Sequence, residues 1–387
     1  MKKKLLILVV TIGLVLTLLA CAAPAPAPTP APAPKPTPAP APAPAPTPAP
    51  APAPAPTPTP APAPAPAPMP AYTPPKLIVW GAHGTTSNTY ASVTAMLSGI
   101  TDDTSVQFRV IPGAKEVDRI RNLVQGVIDF VGLSPNDGIW AVQGTGPFAD
   151  WEPIPLRMIW IRGPTPKAWG VRADSGIVTA ADIKGKKVTS TPAYANVQEQ
   201  MDAFLAFCNL TWNDVIEIQT GGYTAAIAAV LDGSADVANF SILASQAYEM
   251  EASAHGLHWI PMPASDEKAW ARMKNIAPYY SPNLVDFGPG ITEGQPQELA
   301  KFTGILATLE AEDDDLVYWM VKHINESYDT YKDRHGTLPD QNLANTLDIG
   351  NWSAPWHRAA VRYFKDIGVW TDSHEAAQIN LLSMYAR

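Results

Sequence analysis

Residues 77–90 read LIVWGAHGTTSNTY, and this stretch decides the fold. Leu77, Ile78, Val79 and Trp80 form a short β-branched and aromatic run of the kind that makes a fully buried strand. Gly81 and Gly84 break it, and Thr86, Ser87, Asn88 and Thr89 follow with helix-capping side chains. Tyr90, Val93, Thr94 and Leu97 then recur at helical spacing. Strand, glycine turn and capped helix make the opening unit of a parallel α/β sheet. Such a unit leaves free backbone N–H groups and the positive end of a helix dipole at the carboxyl edge of the sheet, where an anionic group can sit. An ordinary βα turn with a structural cap has the same sequence features.

The pattern repeats outward from this point. Val106–Ile111 alternates as a second strand, ended by Pro112 and Gly113, and a helix from Glu116 to Val127 follows. Residues 127–133 read as a third strand, with Ser134, Asn136 and Asp137 just beyond it. Leu156–Ile161 and Ala168–Val171 are further strands. After Val188 comes Ser190–Asn196, then a helix through Phe207, a strand at Ile216–Ile218 and an alanine-rich helix from Tyr223 to Leu231. A strand at 235–240 closes the series, with Asn239 and Ser241 at its end. One module therefore occurs in 77–140 and again in 187–250, which is what a two-lobed binding protein needs, with ligand held at the carboxyl ends of both sheets. Two chain crossings, near Thr165–Trp169 and near Pro278–Asn283, divide residues 76–166 plus 283–387 from residues 167–282.

The chain begins with Lys2, Lys3 and Lys4 and an apolar run from Leu5 to Leu19, too short to favour spanning a bilayer and suited to an export signal over residues 1–20. Leu18-Leu19-Ala20-Cys21 resembles a bacterial lipobox, with cleavage before a lipid-modified Cys21. The alternative is an uncleaved anchor. Every even-numbered residue from Pro24 to Pro70 is proline, so residues 21–75 are expected to form an extended polyproline II spacer at about 3.1 Å per residue. Both readings place the protein outside the cytoplasm, held to a membrane.

Residues 76–387 carry 23 basic and 36 acidic residues, a net charge of −13 without a basic cluster, which argues against a nucleic-acid partner. Cys208 is the only cysteine after Cys21, so the fold has no intrachain disulfide; in the apolar run MDAFLAFCNL it reads as inert core. The sequence has no serine-centred nucleophile elbow, paired-histidine zinc helix or phosphate-binding loop. His255 and His258 lack a third metal ligand and read as a surface pair, and Glu312–Asp315 suit the first turn of a helix. No catalytic constellation, cofactor or metal is expected.

Taken together, the chain resembles the TAXI family of solute-binding proteins of TRAP transporters over nearly all of 76–387. The resemblance is carried by Gly81 through Tyr90, Pro112-Gly113-Ala114, Gly126–Phe130, Ser134–Asp137 with Gly144 to Phe148, and Val171–Gly176. It continues through Asp182–Val188, Leu231-Asp232-Gly233 with Asp236, Asp315–Trp319, and Trp356–Ala360 through Gly368. The family's Gly-Ser pair appears as Gly113-Ala114, and its second Gly-Ser-Gly turn is replaced by Pro192 to Asn196, both at ligand-facing turns. The resemblance implies an α/β, two-lobed periplasmic-binding-protein-like fold (type II, Venus-flytrap) with mixed sheets flanked by helices. It also implies a monomer that is not an enzyme and delivers its solute to a sodium- or proton-coupled TRAP membrane permease. Rival readings are a binding subunit of an ABC importer, a ligand-sensing partner of a signalling kinase, and a secreted enzyme on the same fold.

Polar residues at strand ends point to Asn88, Thr89, Ser134, Asn136, Thr191, Asn196 and Asn239 as ligand contacts, backed by Tyr90, Tyr194 and Trp80. Helix N-termini near Ser87 and Thr191 supply N–H groups, so the expected ligand is a small carboxylate, an amino or keto acid, rather than a sugar or metal ion. The lipobox generates the first test. Cys21→Ser should move the protein from the membrane to the soluble fraction, and retention at the membrane with the signal intact contradicts the anchor.

Overall fold

Residues 72–385 are described by a computed structural model; the export segment, Cys21 and nearly all of the 21–75 spacer lie outside them. The run at 77–80 forms β1 (Leu77–Ala82), with Ile78 and Trp80 fully buried. The polar stretch behind it caps α1 (Asn88–Thr104), where the Ser87 side chain accepts the Tyr90 N–H at 3.1 Å. β2 (Gln107–Pro112), α2 (Glu116–Val124), β3 (Phe130–Leu133) and α3 (Pro135–Gln143) complete the first module. Its strands are parallel, with β1 between β2 and β3.

The second module repeats this topology as β5 (Lys187–Ser190), α4 (Ala195–Phe207), β6 (Ile216–Gln219), α5 (Tyr223–Leu231), β7 (Val237–Ser241) and α6 (Ser245–Ala252), once β4 has crossed from the first. Here β5 lies between β6 and β7, again in parallel. The modules join through β4 (Leu156–Arg172) and β10 (Gln297–Leu309), so the sheet runs β2-β1-β3-β10-β4-β7-β5-β6. β8 (Leu257–Trp259) adds to β4, and β9 (Ser281–Val285) adds to β10. Outside the modules are α7 (Glu267–Lys274), α8 (Asp314–Glu326), α9 (Tyr328–Tyr331), α10 (Leu343–Leu347), α11 (Arg358–Asp366) and α12 (Asp372–Tyr385). The acidic run ahead of α8 works as a cap, Asp313 accepting the N–H groups of Asp315 and Leu316. No helix among the described residues is long and apolar enough to cross a membrane.

Buried apolar residues form three cores. One takes β1, β3, the first half of β4, the last part of β10, and residues from α8 and α11, including Trp160, Trp356 and Phe364. The other two flank the second module, around Trp169, Phe204 and Tyr280 and around Phe240 and Trp259. The architecture is mixed α/β with a central sheet flanked by helices, as the repeated module implies.

Two features differ from the sequence reading. The strands expected at 156–161 and 168–171 are one continuous strand, because Pro164 and Pro166 pair with Thr303 and Lys301 of β10 instead of ending the run. The second crossing, expected near 278–283, comes some twenty residues later. Val285, Leu299, Ala300 and Phe302 still pack in the cores of the second module, and β10 rejoins the first core only at Ile305, past a register shift at Gly304. Residues of β9 and of the first half of β10 thus pack with the second module. Where β4 crosses, a Cβ on Gly163 would sit 1.9 Å from the Thr337 carbonyl oxygen. Gly163→Ala should cost about 1–3 kcal/mol of stability through overpacking, read from the urea midpoint, and an unchanged midpoint contradicts that close approach.

Candidate functional site

A cavity of about 410 Å³ opens where the carboxyl ends of both modules meet the middle of β4. This is within the roughly 300–1,000 Å³ typical of small-molecule sites. His83 and Gly84 reach it from the turn after β1, and Ser87, Asn88 and Thr89 from the start of α1. Ser134, at the start of α3, also faces it. From the second module come Tyr194, Asn196, Val197 and Gln200 around the start of α4, Gly222 to Ala225 at the start of α5, and Ser241 at the end of β7. Four helices, α1, α3, α4 and α5, thus turn their N-terminal ends toward one space, each bringing the positive end of its dipole.

Crossing the floor, β4 supplies Thr165 and Lys167. Lys167 is 3 % exposed, and among the described residues it has no carboxylate partner. Its Nζ donates to Gln200 Oε1 and lies 5.6 Å from the centre of the Tyr223 ring. Burial alone lowers its pKa to about 7, because water is removed and no anion replaces it. Arg162, five residues earlier on the strand, is fully buried and donates to Thr165 Oγ1 at 3.2 Å, while its Nε and Nη1 have no partner. Burial lowers its pKa to about 10, against the opposing pull of the Asp137 charge. Asn88 Nδ2 donates to the same Thr165 oxygen at 3.1 Å, and Asn88 Oδ1 is unpartnered.

One edge is braced by a buried pair. Arg119 Nη2 donates to Asp137 Oδ2 at 2.7 Å, and its Nη1 holds the carbonyls of Gly113 and Ala114. Asp137 Oδ2 also accepts the Ser134 N–H at 3.1 Å, which fixes the start of α3. His83 Nε2 is 3.4 Å from Ser134 Oγ and 3.5 Å from Asp137 Oδ2. Burial, then the positive charges of Arg119, Arg162 and Lys167, hold its pKa well below the usual histidine value, so the ring is neutral. On the opposite side Gly222 has φ +144°, and a Cβ there would meet the Tyr194 ring at 2.9 Å. The glycine lets that ring close over the cavity.

Five of the ten residues expected from sequence line the cavity: Asn88, Thr89, Ser134, Tyr194 and Asn196. The other five are placed elsewhere. Trp80 is core, its ring 5.0 Å from that of Phe130. Tyr90 lies outside the lining on the half-buried face of α1. Thr191 is buried with its hydroxyl toward the Met201 sulfur, and the helix expected to begin there begins at Ala195. Asn239 turns toward β4 and donates to the Ala168 carbonyl at 3.2 Å. Asn136 lies beside the cavity and links the modules, donating to the Asn196 carbonyl at 3.1 Å and to Glu199 Oε2 at 2.8 Å. His83, Thr165, Lys167, Gln200 and Tyr223 were not anticipated, and Ser241, noted at the end of its strand, was not expected as a contact. Lys167 had a signal: a single lysine between Pro166 and the apolar Ala168-Trp169. Cys208 is half-buried against the core around Phe204, where burial raises its pKa to about 12. No group of metal-ligating side chains occurs among the described residues.

A model of one protein family matches residues 82–368. The chain belongs to the NMT1-like family. Proteins of the NMT1-like family are extracytoplasmic solute-binding proteins rather than enzymes, and they hand small molecules to membrane transporters. No curated protein matches the sequence. Similar solved structures include the alkanesulfonate-binding protein SsuA of Xanthomonas axonopodis pv. citri bound to MOPS, 13 % identical, covering 81 % of this chain and 94 % of that one, with a TM-score of 0.45. Another is PhnD1 of Prochlorococcus marinus with methylphosphonate, 10 % identical, covering 80 % and 98 %, with a TM-score of 0.41. A third is the second substrate-binding domain of GlnP from Lactococcus lactis, 9 % identical, covering 70 % and 97 %, with a TM-score of 0.39.

Lys167 gives this NMT1-like protein a pH dependence. Its folded pKa of about 7 is below the ordinary lysine value of 10.5, so between them the unfolded chain binds the extra proton. The destabilisation is fully present below pH 7 and fades as pH rises from there toward the unfolded value. Lys167→Met should therefore raise the melting temperature of the ligand-free protein more at pH 6.5 than at pH 9.5. An equal shift at both pH values contradicts the assignment.

Proposed function

We propose that the protein captures a small organic anion, a carboxylate such as an amino or keto acid, between two lobes and releases it to the permease of a TRAP-type secondary transporter. The observation that carries this reading is Lys167: a buried cation without a carboxylate partner among the described residues, in a cavity ringed by four helix N-termini. Such a charge is costly to hold until an anion arrives. The ligand's carboxylate takes that place, oriented by Asn88, Ser134 and Asn196, while Tyr194 covers its carbon skeleton. The protein is tethered at Cys21 through the proline-rich spacer, so capture takes place close to the membrane. The NMT1-like match favours a second recipient, an ATP-driven importer. Neighbouring genes separate the two: a permease with many membrane spans and no ATPase supports the first, and an ATPase gene the second.

In this reading the lobes are the two modules with their cores, and the hinge is the pair of crossings at Arg162–Pro166 and Thr303–Ile305. The contacts that join the modules across the cavity fit a closed form: Asn136 with Asn196 and Glu199, and the Thr86 and Thr224 hydroxyls 2.8 Å apart. Ligand should lower the radius of gyration in small-angle scattering. Asn136→Ala removes one bridge and should raise the ligand concentration needed for that compaction several-fold. Identical scattering curves with and without a tight ligand count against capture by closure.

A further inference from the structure

The charges around the cavity narrow the ligand class, an inference that rests on the solute-capture reading. Among the residues that face the cavity, Lys167 is the only lysine or arginine, and none is aspartate or glutamate. The buried carboxylates nearby are already engaged. Asp137 holds Arg119 and the Ser134 N–H. Glu199 accepts from Asn136 and from the Tyr279 hydroxyl at 2.6 Å. A second cation is equally missing, because Arg119 is locked to Asp137, His83 is neutral, and Arg162 lies behind the lining. The rest of the wall is uncharged: hydroxyl and amide side chains such as Ser87, Asn88, Ser134 and Asn196, and an apolar part made by Ala114, Val197, Ala228 and Phe302.

We infer that the site takes a monoanion with an apolar body and rejects both zwitterionic amino acids and dianions. An α-ammonium group brought into this space would meet the like charge of Lys167 and no counter-ion. The second carboxylate of a dianion would find no second cation, only neutral hydroxyl and amide groups and apolar carbon. Desolvated charges left in that way are strongly unfavourable, so discrimination here comes from what the walls lack. Within the carboxylates proposed above, the keto or simple acid is selected and the amino acid excluded.

Calorimetry on the full chain at pH 7 tests this with 4-methyl-2-oxopentanoate, 4-methylpentanoate, leucine, 4-methylpentanamide and 2-oxoglutarate. The two branched monoanions should bind. Leucine, the uncharged amide and the dianion should bind at least thirtyfold more weakly, and Lys167→Met should abolish the advantage of acid over amide. Should that variant fail to fold, Gln200→Glu sets a carboxylate against Nζ and should weaken monoanion binding tenfold or more. Leucine or 2-oxoglutarate binding as tightly as the monoanions, in a manner lost with Lys167→Met, overturns the ligand class and leaves solute capture standing. Failure of both monoanions to bind also overturns the class. If native mass spectrometry then finds no small molecule retained by the purified protein, the capture reading falls with it.

Discussion

The structure depends on one constraint: a single strand, β4, has to pass unbroken from the core of the first module to the cores of the second. Its ends are anchored by Trp160 and Ile161 on one side and by Ala168 and Trp169 on the other, all buried. The residues between, Arg162 to Lys167, belong to neither apolar core, so polar side chains are tolerated there. That is where the chain carries its two buried cations without carboxylate partners. In the proposed reading the anion site lies at the same crossing that serves as the hinge, which would couple ligand capture to closure.

The rest of the site moderates that charge. Asp137 pairs with Arg119, and burial together with the charges of Arg119, Arg162 and Lys167 keeps His83 uncharged. With those groups silenced, Lys167 is left as the group whose charge the ligand has to match. Its contact with Gln200 and its position over Tyr223 are weak substitutes for an anion. Desolvation without compensation explains its lowered pKa, and an anion in the cavity reverses that shift.

Much of the fold was legible because each module announces itself locally. A β-branched run, a glycine or proline break and a capping cluster recur in order, and local signals of this kind suffice for β1-α1 and for β5-α4. β10 was not legible: from Gly304 to Thr308 it is buried on both faces and lacks strand alternation, and its partner β4 lies more than a hundred residues earlier. The same long-range pairing carried β4 through Gly163, Pro164 and Pro166, where the local sequence suggests a stop. Within the site, Asn88, Ser134 and Asn196, picked from polar residues at strand ends, line the cavity. The rule failed for Trp80 and Asn239, because facing the sheet or the helix layer is decided by pleat and pairing, which residue type does not reveal. Lys167 escaped because its burial follows from tertiary packing.

The central claim is that Lys167 is the counter-charge of the bound solute. A crystal structure of the protein with a bound carboxylate tests it most directly. The account predicts a carboxylate oxygen within hydrogen-bonding distance of Lys167 Nζ, with the ligand body against Tyr194 and Phe302. A carboxylate bound elsewhere, with Nζ still held by Gln200 alone, contradicts it.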